Sequence, residues 1–408
     1  MSRAAGRAAS RRPLINTHVH LPPNFSAFAT VDDAVEQAAA EGLRVLGASN
    51  YHDFMVYSAF ETAAASRGIV ALFGMEIITR VEELRRDGVK ANDPNNPGRV
   101  YLCGDGITGF RSPTPRARAL IATMRAANEA RARRITDRVR AIFAGAGLAT
   151  TLTDEDVARQ VAGRARTPRD WVVLQERHVA RGFQEELFRA VPPPRRAAIL
   201  ERAFGAPFGS DAEDAWAVQE AIRSQLMKAG RAAFEPEAPI SFEDGYRLIL
   251  ELGGIPSYPI LADAASPICA FEDPPEALVQ RLLERGLYCA EVIPGRNRRE
   301  VVDRYVRAFR EAGIVVLAGT EHNTLWRISL EPRCAGDEPL SELARDAFWD
   351  GTCVVAAHQY LGRAGRPGYV DRDGRRNPGF EDDDARLRWF HQLGATVIAA
   401  GPAMMVRQ

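Results

Sequence analysis

Asn16-Thr17-His18-Val19-His20 follows the apolar run Pro13-Leu14-Ile15 near the start of a 408-residue chain. A short apolar run bounded by polar residues reads as a strand, and in a strand residues i and i+2 point to the same face. His18 and His20 therefore leave one strand end in the same direction, as two nitrogen ligands of one metal would. Two surface histidines give the same spelling, so the pair gains meaning only from what the other strand ends carry.

Those ends carry related chemistry. Thr30 or Asp32 caps a helix that runs from Ala34 to about Glu41 and stops at Gly42. The apolar stretch Leu43 to Ala48 leads to Ser49-Asn50-Tyr51-His52-Asp53. A second helix spans Tyr57 to Ser66, and Ile69 to Gly74 delivers Met75-Glu76-Ile77. Strand, helix, strand, helix, strand is the grammar of a parallel α/β sheet or barrel, folds that gather their chemistry at the C-terminal strand ends. Arg99 to Cys103 reads as a fourth strand. It runs into Gly104-Asp105-Gly106-Ile107-Thr108-Gly109, a formal GxGxxG, but Ser112-Pro113-Thr114-Pro115 follows where a dinucleotide site needs an opening helix, which argues against that reading. The rhythm returns at Ser241, with Glu291 ending Leu287 to Val292 and Glu321-His322 following Ile314 to Gly319.

Between these two blocks, residues 111–239 read as a helical insertion: Arg116 to Ala144, Asp154 to Gly163, Asp170 to Ala190, Arg195 to Phe204 and Asp211 to Ala229. Nine arginines fall between Arg111 and Arg140 against only Glu129 and Asp137. A solvated, salt-bridged helix face is the favoured reading, and an anion site built from Arg131, Arg133, Arg134 and Arg138 is the functional one. Residues 331–408 form an α/β extension with helices over Glu342 to Trp349, Thr352 to Leu361 and Asp382 to Leu393. His178, His358 and His391 read as structural or surface histidines.

The formal net charge is zero, with 46% hydrophobic and 26% charged residues. That profile fits a globular protein and speaks against nucleic acid or a membrane as partner. Residues 1–12 are basic and small-residue-rich without an apolar core, so they are expected to form a frayed tail and no leader. The five scattered cysteines contain no CxxC and suit reduced thiols in the cytoplasm.

Taken in order, the pieces Asn16 to His20, Gly42-Leu43 through His52-Asp53, Gly74 to Ile77, Arg99 to Leu102, Gly253 to Pro259, Glu291-Val292 and Gly319 to His322 resemble the PHP (polymerase and histidinol phosphatase) superfamily of metal-dependent phosphoesterases. The resemblance covers about residues 13–110 and 240–330. It implies a distorted (βα)7 TIM-like barrel of α/β class, carrying the helical insertion and the C-terminal extension, with up to three metals at the strand ends. It implies His18, His20, Glu76 and Glu321 as metal ligands. His52 and His322 would complete a second site or move protons. Tyr101 and Tyr258 stand where the family has histidines, and Asn24 and Ser26 occupy the loop of another. Tyr is a poor ligand at neutral pH, its pKa being about 10, so one or two ions (Zn, Mn or Fe) are expected rather than three.

The function expected is a metal-dependent hydrolase acting on a small anionic substrate, a phosphoester first, with water activated by the metal. His52, His322 and Tyr258 are the expected catalytic groups, with Tyr101, Arg131 and Arg134 against the substrate. The alternative keeps the metal but makes the enzyme an isomerase, lyase or amidohydrolase-type catalyst on a sugar acid or other carbonyl or carboxylate substrate. A non-catalytic barrel used for binding ranks below both.

Overall fold

Short apolar runs separated by capped helices become seven strands of a nearly closed barrel in a computed structural model that describes residues 12–406. Apart from Arg12, the expected tail lies outside the described residues. The first half comprises β1 (Leu14–Val19), α1 (Val31–Ala40), β2 (Leu43–Ala48), α2 (Tyr57–Ser66), β3 (Val70–Arg80), α3 (Glu82–Arg86) and β4 (Arg99–Asp105). The insertion holds α4 (Pro115–Gly145), α5 (Asp154–Ala165), α6 (Glu176–Ala190), α7 (Pro193–Phe204) and α8 (Ala215–Ile222). The barrel resumes with β5 (Ile240–Ser241), α9 (Phe242–Glu251), β6 (Ile255–Ile260), α10 (Pro275–Glu284), β7 (Cys289–Val292), α11 (Arg299–Glu311) and β8 (Val315–Ala318). The chain ends in α12 (Glu342–Arg363), α13 (Asp383–Ala400) and α14 (Pro402–Val406).

The strand order is β1-β2-β3-β4-β6-β7-β8, with β5 paired to the far end of β3. β4 is antiparallel to both neighbours and the remaining pairs are parallel. The ring closes where Val19 bridges Glu321. There Glu321 N donates to His18 O at 2.9 Å and His20 N donates to Glu321 O at 2.8 Å. Closure thus places the two ends of the first-half and second-half sequence motifs against each other.

Register decides which side chains face inward. Glu76 pairs with Cys103, Cys103 with Ser257, and Ser257 with Cys289, two residues from Glu291 on the same face of β7. Val45, Val70, Leu72, Ile255, Val315 and Leu317 form an apolar cluster with Trp349, Cys353, Val354, Phe390 and Val397. Helices α12 and α13 therefore floor the barrel. Gln359 bridges the floor to β3 below the start of the β4 ladder, accepting from Phe73 N and donating to Ala71 O, both at 2.9 Å. Two backbone groups that pairing with β4 leaves open are thereby satisfied.

The extension is helical, without the strands expected of an α/β unit. The break expected near Gly351 does not occur because Gly351 lies inside α12, where a Cβ would meet Val316 O at 2.2 Å. The insertion has its own core, including Val139, Phe143, Val157, Phe183, Leu187, Leu200 and Ile222. Helix α4 joins it to the barrel, since Ala117 and Met124 belong to the barrel core and Ala132 onward to the insertion core. Among the described residues no helix is long and apolar enough to cross a membrane.

His358 on α12 shows how a buried polar group is fixed. Its Nδ1 accepts from Tyr369 N and its Nε2 donates to Gly253 O, both at 2.9 Å. Burial lowers its pKa to about 4. A histidine whose folded pKa is depressed contributes stability above its unfolded value near 6.5 and loses it as pH falls through the folded value. The advantage of the wild type over His358→Gln is therefore expected to shrink below pH 6.5 by about 1.4 kcal/mol per pH unit, levelling near pH 4. Urea denaturation of both proteins across that range measures it, and a constant difference would show that His358 ionises freely in the fold.

Candidate metal centre and its chamber

The end of β1 turns both imidazoles inward, and β3 brings Glu76 to meet them. His18 Nε2 and His20 Nε2 lie 3.4 Å apart, and Glu76 Oε2 is 3.8 Å from the first and 3.6 Å from the second. Ligand atoms at about 2.1 Å around a tetrahedral ion are about 3.4 Å from one another. The three atoms thus have the spacing that one face of a single ion's coordination polyhedron requires. Two imidazoles and one carboxylate, with the remaining positions open toward a cavity, are the donor set of catalytic zinc and of non-haem iron.

Outer partners aim both rings. Glu291 Oε2 lies 2.8 Å from His18 Nδ1, which directs Nε2 to the site. Asn24, in the loop where the family resemblance expects a histidine, places Oδ1 at 3.4 Å from His20 Nδ1. That same oxygen accepts from Tyr51 N at 2.7 Å. Behind Glu291 stands Asp105, 3% exposed. Burial, with the neighbouring Glu291 charge, pushes the Asp105 carboxyl well above the usual range. Burial likewise raises Glu291 to about 7, opposed by hydrogen bonds from Asp105 and Cys103. The two buried carboxyl groups behind His18 are thus both less acidic than in water. Glu291 stood at a strand end in the sequence, but its role as a buttress depends on ring closure, which leaves only β8 between β7 and β1. Nothing local encodes that.

The mouth opens into a chamber of about 690 Å³. Barrel residues His18, His20, Glu76, Tyr101, Glu291, Arg296 and Glu321 form one side. Insertion residues Asn128, Arg131, Gln175, Arg177, Arg223 and Lys228 form the other. The insertion is seated on the loop that follows His20, where Phe25 N donates to Gln175 Oε1 at 2.7 Å.

The remaining expected site residues divide. Tyr101 lines the chamber, and burial together with Glu237 and Glu76 raises its pKa well above 10, so it is a neutral donor. Arg131 also lines it, held by Glu176 and by Glu235 O at 3.0 Å. Glu321 lines the chamber too, but Arg296 takes both of its carboxylate oxygens and Asn323 a further contact. It lies outside the three-residue ligand group.

Four expectations are corrected by position. Tyr258 pairs across β6–β7 with Ala290, so it faces outward while Ser257 and Pro259 face inward. Its hydroxyl donates to buried Glu272 at 3.0 Å. His322 is locked between Thr320 Oγ1 at 2.7 Å and Ile328 O at 3.1 Å, with neither nitrogen free to shuttle protons. His52 stacks on Tyr51 with ring centroids 3.8 Å apart and lines a separate small cavity beside α4. Burial lowers it to about 3, so it stays neutral. Arg134 pairs with Glu235 away from the chamber. Most other arginines of α4 are similarly spent: Arg133 on Asp154, Arg138 on Glu235 and Arg140 on Asp137.

No family model and no curated protein matches the chain. Solved structures that share its fold include the following two. An amidohydrolase from Chromobacterium violaceum, with bound sulfate and no metal, aligns with a TM-score of 0.52 at 18% identity over 79% of this chain and 93% of its own. A protein described as a metal-dependent phosphoesterase from Bifidobacterium adolescentis aligns with a TM-score of 0.53 at 18% identity over 82% and 94%. At that identity the likeness shows a shared barrel architecture.

Proposed function

We propose that the chain is a metal-dependent hydrolase whose reaction centre is the His18–His20–Glu76 face at the barrel mouth. The observation that carries this reading is the triangle of ligand atoms at 3.4, 3.6 and 3.8 Å, buttressed by Glu291 and open to the chamber. The structural neighbours support it through their described activities, both hydrolytic. A divalent Zn, Mn or Fe ion bound there supplies Lewis acidity and activates water for attack.

The protein's own residues do the rest. His18, His20 and Glu76 fix the position at which water and the scissile group meet. Glu291 accepts from His18 Nδ1 and so holds the ring in the tautomer with Nε2 free. Tyr101, kept as a phenol, donates to a substrate oxygen. The insertion covers the mouth and limits bulk water, which strengthens every charge interaction inside. Phosphoesters come first among the substrates, because the insertion wall of the chamber presents Arg177 and Arg223, two guanidinium groups that share the single carboxylate of Glu220.

The second reading is amidohydrolase-type hydrolysis of a carboxylate-bearing substrate. It draws on the single three-ligand face, because Glu321 is engaged by Arg296 and does not extend the ligand set toward a multinuclear centre. A panel of phosphomonoesters, phosphodiesters, amides and lactones, assayed with Zn, Mn and Fe(II), separates the two. Turnover of phosphoesters that chelation abolishes and metal restores is expected. Selective turnover of amides or lactones would favour the second reading, and inertness to every class with metal bound would overturn both.

A further inference from the structure

The insertion offers cationic donors that the fold consumes only in part. Arg177, in the first turn of α6, donates through Nη1 to Glu220 Oε1 at 2.8 Å. Arg223 donates through Nη2 to Glu220 Oε2 at 2.6 Å. One carboxylate thus serves two guanidinium groups, which together hold ten N–H donors. Arg223 Nε is buried with no hydrogen-bond partner, and neither arginine has a second carboxylate within 4.0 Å among the described residues. This contrasts with Arg131, which has both Glu176 and Glu237; Arg134 and Arg138 also share one carboxylate, that of Glu235, but do not line the chamber.

Local geometry keeps the pair in place. Arg223 opens a π-helical turn, Arg223–Met227, that extends α8. Such turns bond residue i to i+5 in place of i+4 and recur at functional sites. Here the turn sets Arg223, Met227 and Lys228 together on the chamber wall. The Arg177 guanidinium lies 5.5 Å from the Trp216 ring centroid and 5.7 Å from that of Phe25, a residue of the loop after His20. It is thereby pinned between the insertion and that loop. Burial, then the nearby Arg223, lowers the Arg177 pKa, as expected where positive charge is undercompensated.

We propose that Arg177 and Arg223 form an oxyanion subsite for a second anionic group of the substrate, a phosphate or carboxylate distinct from the bond that reacts at the barrel mouth. The substrate class is then a compound with two separated anionic groups, one end held by the insertion. This deepens the hydrolase reading and rests on it only for where the reacting bond lies, since the subsite itself needs no metal. The insertion thus acts as the specificity element, and its arginine-rich helix α4 serves mainly to anchor it.

The test uses the full chain with His18→Ala/His20→Ala, treated with chelator so that anions cannot bind through metal. Inorganic phosphate and acetate are titrated separately, followed by tryptophan fluorescence and by calorimetry. Trp216→Phe assigns the optical signal. Saturable binding of phosphate, acetate or both is expected at millimolar concentration. Arg177→Gln/Arg223→Gln in the same background is expected to weaken it about tenfold or more, with Arg134→Gln unchanged. Which anion binds more tightly identifies the group the subsite takes. Absence of binding below about 10 mM, or binding indifferent to the double glutamine variant while circular dichroism shows it folded, would overturn the proposal. In either case, metal-dependent turnover by the wild type would stand apart from it.

Discussion

Replacing His18 and His20 together by Ala is expected to lower turnover of the best substrate by about a thousandfold or more. A metal centre contributes several kcal/mol of transition-state stabilisation, and about 4 kcal/mol corresponds to a thousandfold. Both side chains are buried, at 2% and 1% exposure, yet their ring nitrogens contact chiefly Glu76, Glu291 and Asn24. The loss should therefore fall on metal affinity and rate more than on the fold. Glu291→Gln removes the charge behind His18 and keeps its shape, so a graded effect is expected, metal affinity falling about 10- to 100-fold. Steady-state kinetics at saturating metal, with metal titrations alongside, measures both. A double variant that retains wild-type kcat/KM would remove the barrel mouth as the reaction centre.

The second large effect concerns the floor of the barrel. Gly394 of α13 lies against α12 so closely that a Cβ would stand 1.8 Å from Cys353 O and 2.4 Å from its carbonyl carbon. Backbone cannot swing aside as a side chain can, so Gly394→Ala must separate two helices whose residues Cys353, Phe390 and Val397 share one core with Val315 and Leu317. A loss of about 3 kcal/mol or more is expected. Gly163→Ala is the counterpart within α5, where nothing lies within 4 Å of the added methyl. There the change should stabilise by about 0.5–1 kcal/mol, because Ala restricts the unfolded chain and favours helix. Chemical denaturation of the two variants compares them. Equal stability would contradict the floor's tight packing.

The same glycines explain part of what was not legible in the sequence. Gly351 and Gly394 look like helix terminators, and the expected helices stop just before each. Their purpose is close approach to Val316 and Cys353, partners 35 and 41 residues away in the chain. The centre itself was more legible. His18 and His20 share a face by strand alternation, and Glu76 follows a strand of the same pattern. Tyr258 failed by that very rule, because Ser257 and Pro259 hold the inward positions of β6. His322 failed for a different reason. Glu321 and His322 both adopt left-handed backbone, with φ of 59° and 52°, and this departure from strand geometry turns His322 to Thr320 and Ile328. The arginine count of α4 was visible, but which cations remain uncompensated depends on Glu176, Glu235 and Glu237 folding back onto that helix. Arg177 and Arg223 stand out only once Glu220 is seen between them.

Hydrolysis at the barrel mouth requires that His18, His20 and Glu76 hold one ion. Anomalous diffraction from crystals of the metal-loaded protein, recorded at the absorption edges of Zn, Mn and Fe, tests it most directly. A single dominant peak is predicted about 2.0–2.3 Å from His18 Nε2, His20 Nε2 and Glu76 Oε2, with Glu291 still bonded to His18 Nδ1. A peak elsewhere, such as between Cys103 and Glu291, or none at full metal loading, would contradict it.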